Sequence, residues 1–174
     1  NNQAGVASCK LLNSDGSTQA SGGSFPTLLR VFLWATFLDD IPFVSRSVGA
    51  YHLHAGAPFM EESDNREHQQ DWVSGAVFLV RTEIIRSIGG FNDDFFMYAE
   101  DVEYCFRIKK AGWGIWYIPQ TSILHIGSAS SGGGTIQFSG KSLGKEKGIL
   151  GEFEGLKKFY KEHYSLWQYL MLVF

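Results

Sequence analysis

Two adjacent acids, Glu100 and Asp101, lie in the run Phe95-Phe96-Met97-Tyr98-Ala99-Glu100-Asp101-Val102-Glu103-Tyr104-Cys105-Phe106, and their placement is the clearest chemical signal in the chain. The apolar spacing predicts a helix over 98–110 with Tyr98, Val102, Cys105 and Phe106 as a buried stripe. Glu100, Glu103, Arg107 and Lys110 are expected on the opposite, solvated side. Asp101 does not join them: it projects beside Cys105, toward protein. A carboxylate aimed inward needs compensation. Two readings stand open. In one, Asp101 is a first-turn acid that complements the helix dipole and accepts an orphan N–H. In the other, it faces a cleft as a general base whose pKa is tuned by partial burial.

The surrounding elements are expected to form a sheet flanked by helices. Gly5–Leu12 reads as a strand, Asn13-Ser14-Asp15-Gly16-Ser17 as a turn, and Thr18–Ser21 as a second extended piece. Pro26 starts a helix through Leu28, Leu29, Phe32, Leu33 and Phe37, which Asp39-Asp40 and Pro42 end. Those two acids read as a polar helix end and not as metal ligands. Residues 45–70 read as a long loop in which His52, His54 and His68 lack ligand spacing and are assigned to the surface. Trp72–Val80 is a continuous apolar run, expected to be one strand buried on both faces. Thr82 is expected to cap a short helix with Ile84, Ile85 and Ile88 inward, ended by Gly89-Gly90. Gly112 should close the Asp101 helix; Trp113–Ile118 then forms a strand stopped by Pro119, and Ser122–Ile126 a last strand that delivers His125 to its end.

Composition bounds the rest. The 174 residues suit one core and no second comfortable domain. The net charge of −3 with no long basic run argues against nucleic acid as a partner. Cys9 and Cys105 lie in apolar segments and read as reduced core thiols, which suits a cytosolic compartment. No N-terminal signal peptide is visible. Phe153, Leu156, Phe159, Tyr160 and Tyr164 recur at helical spacing among Lys157, Lys158, Lys161 and His163, giving a basic amphipathic helix before the apolar Leu166–Phe174. That tail, residues 141–174, is expected to lie near a membrane, with packing on the domain as the plain alternative.

Asp71-Trp72-Val73-Ser74-Gly75-Ala76, then Gly89-Gly90-Phe91-Asn92-Asp93-Asp94-Phe95-Phe96, Glu100-Asp101-Val102-Glu103, Ala111-Gly112-Trp113, Tyr117-Ile118-Pro119 and His125 follow one another in an order that resembles the acceptor-side half of family 2 glycosyltransferases with the GT-A fold, and among them the rhamnosyltransferase-like enzymes of polysaccharide assembly. Leu11–Ser17 and Phe25-Pro26-Thr27 also resemble that group. The resemblance implies an α/β fold, a partial GT-A domain over residues 1–140 with a mixed sheet flanked by helices, followed by the amphipathic tail. It further implies sugar transfer from a nucleotide-sugar donor to a glycan or lipid-linked acceptor, with inversion, at the inner face of the cell membrane.

By this resemblance Asp101 deprotonates the acceptor hydroxyl, with Glu100 beside it as the neighbouring motif acid. Trp72, Ser74 and Gly75 would border the acceptor, His125 would complete a Mn²⁺ or Mg²⁺ site, and Ser128, Ser130 and Ser131 would close over the diphosphate. The nucleotide-binding half and the Asp-x-Asp motif of such enzymes have no counterpart here, so the chain resembles a C-terminal part of the catalytic domain with little or no turnover of its own. The readings from other classes are a carbohydrate-binding or interaction module that retains the scaffold, and a glycoside hydrolase. The hydrolase ranks last, because Glu100 and Asp101 are adjacent and point apart where paired acids must face each other across a scissile bond.

Overall fold

The computed structural model describes residues 3–53, 66–95, 97–126 and 145–174, with side chains from 150 onward in the last segment. The middle of the predicted 45–70 loop, with His54, and the glycine- and serine-rich stretch that carries Ser128, Ser130 and Ser131 lie outside the described residues. The architecture is mixed α/β. Strand β1 (Ala4–Leu12) runs parallel to β7 (Gly114–Leu124), paired from Ala4 opposite Gly114 to Leu12 opposite Leu124 with two shifts of register between. On the far side of β7, β4 (His68–Gln70) pairs antiparallel, with Gln70 opposite Ile115. The other edge of β1 carries two short antiparallel strands: β6 (Leu79–Val80) near its start and β2 (Thr18–Gln19) near its end. A separate ribbon joins β3 (Gly22–Gly23) to β5 (Trp72–Val73).

Several expectations are corrected here. Trp72–Val80 is not one strand; it is β5, a turn over Ser74–Val77, and β6. The Gly75 N–H, which a continuous ladder would require, is committed to Asp101 instead. Conversely, β7 is one strand and not two. Its pairing with β1 skips from Ile118 opposite Cys9 to Ser122 opposite Lys10, and this irregularity accommodates Pro119, which has no N–H for a ladder.

Helix α1 (Leu28–Ala35) is capped by Thr27, whose Oγ1 accepts from the Arg30 N–H at 3.3 Å. Its inward side chains are Val31 and Leu33, while Leu29, Phe32 and Phe37 of the expected stripe are exposed. Pro42 does not end structure but begins it, as the first residue of α2 (Pro42–Val48), where its missing N–H is not needed. Helix α3 (Thr82–Ile88) starts at Thr82, one residue before the expected position, with no side-chain cap; Ile84 is buried, Ile85 is exposed, and Gly89 at φ +80° ends the helix as expected.

Helix α4 (Glu100–Lys110) carries Glu100, Asp101 and Glu103 in its first turn and Arg107, Lys109 and Lys110 in its last, matching both ends of its dipole. It starts two residues later than its apolar pattern indicated, because Tyr98 (φ +71°) and Ala99 (φ +63°) are in the left-handed region. Helix α5 (Lys145–His163) supplies Leu156, Phe159 and Tyr160 to the same core as Val6, Ile84, Val102, Cys105, Ile108 and Ile115. Helix α6 (Leu166–Val173) opens with a reciprocal Ser165–Gln168 capping box and leans on α1. Among the described residues no helix is long and apolar enough to cross a membrane. Both cysteines are free and buried, as expected.

Candidate active site

Asp101 lies in the first turn of α4 with its carboxylate turned toward the loop between β5 and β6. Oδ2 accepts the Gly75 N–H at 3.1 Å, and Oδ1 accepts the Val102 N–H at 2.8 Å. Two of the predicted site residues, distant in sequence, are thus joined directly. Burial is the largest influence on this carboxyl and raises its pKa from the ordinary carboxylate range to about 7; the charge of Glu100 adds to the rise, and the Gly75 N–H opposes it. Proton exchange near neutrality is therefore within its reach. Glu100 is also raised, by burial first and then by the charge of Glu152, and its buried Oε2 has no hydrogen-bond partner among the described residues.

The remaining residues of the β5–β6 loop hold this arrangement. Ser74 donates its N–H to Ser21 O at 2.9 Å, and its hydroxyl oxygen accepts the Ala76 N–H at 3.3 Å, closing a local turn that presents Gly75. Gly75 itself is exposed, and a Cβ there would come no closer than 4.0 Å to Asp101 Cβ. Trp72 is buried, and its indole N–H lies 3.1 Å from Tyr51 O and 3.2 Å from Ser24 O. It supports the loop from beneath.

His125 follows β7 at the sheet edge near β2. Gln19 brackets it: the Gln19 Nε2 donates to the His125 backbone carbonyl and to Asn13 Oδ1, each at 2.7 Å, while Oε1 lies 2.8 Å from His125 Nδ1. A backbone carbonyl can only accept, so the amide orientation is set and Nδ1 must be the donor. This leaves the Nε2 lone pair open, the kind of position an imidazole can offer to a divalent ion. Among the described residues no group of three or more His, Cys, Asp or Glu side chains includes it. Glu103, Glu162 and His163 do cluster, but the Glu103 carboxylate is taken by Arg107.

The profile of the family described as "Glycosyl transferase family group 2" matches residues 46–160, which include Gly75, Asp101, His125 and Glu152. The chain belongs to glycosyl transferase family group 2. It is 33% identical over 132 residues to the N-acetylglucosaminyl-diphospho-decaprenol L-rhamnosyltransferase of Mycobacterium tuberculosis (strain ATCC 25618 / H37Rv), covering 75% of this chain and 40% of that protein. Rhamnosyltransferase WbbL of Escherichia coli (strain K12) is 36% identical over 55 residues, 32% of this chain and 21% of WbbL. The O-antigen biosynthesis protein RfbC of Myxococcus xanthus is 28% identical over 130 residues, 74% of this chain and 9% of RfbC. The chain thus spans 40% of the length of the mycobacterial relative.

In this family 2 chain, three residues at the site had escaped the sequence. Glu152 of α5 is buried; its Oε1 accepts the Tyr51 hydroxyl and lies 3.3 Å from His52 Nε2. His52, assigned to the surface from sequence, instead packs against the Tyr51, Trp34 and Trp72 rings. The signal that could have found Glu152 is the pair Gly151 and Gly155, four residues apart on one helix face and flanking it, which marks a close approach of other backbone.

On the far face of α4, Glu103 is also buried and not solvated, because α5 covers that face. Arg107 binds it through Nε at 2.7 Å and Nη2 at 2.9 Å, and His163 Nε2 lies 3.1 Å away. Arg107 further donates to Ile88 O at 2.8 Å and Gly90 O at 2.7 Å, tying the Gly89-Gly90 turn to the helix. Burial alone would raise the Glu103 pKa; the hydrogen bonds from His163 and Arg107 outweigh it and hold the group below the usual range. The adjoining open cavity of about 570 Å³ is lined by this network and by the 88–94 turn.

Proposed function

We propose that the parent protein is an inverting glycosyltransferase of cell-surface polysaccharide biosynthesis, and that this chain is the acceptor-side, base-bearing part of a GT-A catalytic domain. The carrying observation is Asp101: a carboxylate in the family-matched segment, held by a loop N–H and raised to about 7. In the reaction, an acceptor hydroxyl gives its proton to Asp101 as its oxygen forms a bond to the anomeric carbon of the donor sugar. The bond from that carbon to the diphosphate breaks on the opposite face, and the nucleoside diphosphate leaves. A base within hydrogen-bond reach, ionised at working pH, is what this step needs. Glu100 would orient the acceptor, and the Ser74–Gly75 turn would border it. Trp72 contributes by fixing that border.

A divalent ion bound at such a site supplies charge neutralisation for the leaving diphosphate. From this chain His125 would hold it, in the tautomer that Gln19 imposes. The relative named as an N-acetylglucosaminyl-diphospho-decaprenol L-rhamnosyltransferase supports a lipid-linked glycan as acceptor. A peripheral position at the inner face of the membrane accords with the exposed Leu166, Trp167 and Met171 of α6 and the exposed Leu29 and Phe32 of α1, the helix that α6 contacts.

The test is nucleotide release by the native-length protein with a panel of sugar nucleotides, Mn²⁺ or Mg²⁺, and a lipid-linked acceptor. The Asp101→Asn protein should bind donor normally and lose acceptor-dependent release by about 10²-fold or more. Unchanged release by that variant would return Asp101 to the role of a helix-start acid.

A further inference from the structure

Glu152 is a buried ionisable side chain on α5, held by both Tyr51 and His52. Its helix lies flat on the backbone that leads into the base. A Cβ at Gly151 would come within 2.6 Å of the Tyr98 ring, and one at Gly155 within 2.7 Å of Tyr98 O and 2.9 Å of Ala99 Cβ. Tyr98 and Ala99 are the two left-handed residues immediately before Glu100 and Asp101. The opposite wall of the site is reached through Tyr51, whose hydroxyl donates to Glu152 while its carbonyl accepts from Trp72, two residues before Ser74-Gly75. The α5 turn that carries Glu152 therefore joins the two pieces of chain that hold Asp101: its glycines meet the entry to α4, and Glu152 itself reaches the Gly75 turn through Tyr51.

We propose that Glu152, held by Tyr51 and His52, is a positioning residue of the transfer site, acting on Asp101 by bracing the α4 entry against the β5–β6 loop and by presenting a fixed negative charge to both motif acids. The charge is present because, although burial would raise the Glu152 pKa, His52 and Tyr51 outweigh it and lower it. Its field raises Glu100 and Asp101 alike, in each case behind burial as the larger cause. The groups facing Asp101 are Glu100 and Cys105 of its own helix, the Gly75 N–H, Tyr51 and Glu152. Those facing Glu152 are Tyr51, His52, Tyr98 and Glu100. Among these only His52 can carry positive charge, and it sits on the Glu152 side. The arrangement keeps Asp101 proton-accepting close to neutrality and not only in acid.

The inference rests on Asp101 being the base, and two separate readouts distinguish its failure from failure of that reading. In this 174-residue chain, the Asp101 carboxyl is titrated by carbon NMR in wild type and in Glu152→Gln, which keeps an acceptor for Tyr51 but removes the charge. The expected result is a midpoint displaced to lower pH in a variant that still unfolds cooperatively, at a somewhat lower temperature because the charged contact with His52 is lost. Glu152→Met, of similar length and without a carboxylate, is read in the same way if the first variant does not fold. In the native-length protein, Glu152→Gln should move the acidic limb of the kcat/KM profile to lower pH, with donor KM unaltered. An Asp101 midpoint indifferent to both substitutions overturns the proposal. If Asp101→Asn transfers sugar at the wild-type rate, the functional reading fails, and the titration alone decides what Glu152 does.

Discussion

Gly75 donates its N–H to the Asp101 carboxylate at 3.1 Å, so a turn that breaks one strand is held by the first turn of a helix 26 residues later. The bond stabilises the ionised acid, and burial opposes ionisation more strongly; the net pKa of about 7 is the balance. A base so placed gives transfer an acidic limb. The kcat/KM of the native-length protein should fall tenfold per pH unit below about 7, in a profile measured at fixed metal concentration.

The same shift enters folding with a definite sign. Asp101 binds its proton more tightly in the folded chain than in the unfolded one, where the ordinary value of 3.8 applies. Wild-type stability from this group is fully present below pH 3.8 and is lost as pH rises through about 7. Asp101→Asn, which cannot ionise, should therefore be more stable than wild type at pH 8, by about 1–2 kcal/mol after allowance for partial exposure. The gap should close near pH 4 in urea melts.

Glu103 titrates in the opposite sense. Its pKa is depressed, so its contribution is present above the ordinary 4.5 and is lost as pH falls below it. Glu103→Ala leaves Arg107 and His163 facing an empty, buried position and should cost about 3–5 kcal/mol at pH 7. Chemical denaturation at pH 7 and pH 3 checks both parts, since the difference between variant and wild type should shrink in acid.

Gln19→Leu keeps the volume beside His125 and removes the acceptor that fixes its tautomer. Nitrogen NMR of the chain should show His125 passing from Nδ1-protonated to a mixture of tautomers. Mn²⁺ affinity of the native-length protein should fall about 10-fold, as for other partners that orient metal-binding imidazoles.

The placement of many of these residues was legible because local chemistry and tertiary structure agree there. Asp101 in the first turn of α4, Gly112 as the closing residue, and His125 just beyond the last strand all follow from patterns that neighbouring residues reinforce. The failures occur where a distant element decides. Glu103 looked solvated because nothing in residues 98–110 reveals that α5 will cover that face. Tyr98 and Ala99 carry no sequence mark of positive φ; the strain is sustained by packing against two glycines more than fifty positions later. His52 looked like a surface residue because its partner, Glu152, is a hundred residues away.

The packing of Gly151 and Gly155 against Tyr98 and Ala99 also sets an order of events during synthesis. The segment bearing Glu100 and Asp101 leaves the ribosome well before the helix that covers it. Until residues 151–160 follow, Tyr98 and Ala99 have no surface to hold them left-handed, and Leu156, Phe159 and Tyr160 are missing from the core. The acid that would take the proton is thus completed by a segment made some fifty residues after it, and a nascent protein released before that segment would carry the motif without the site.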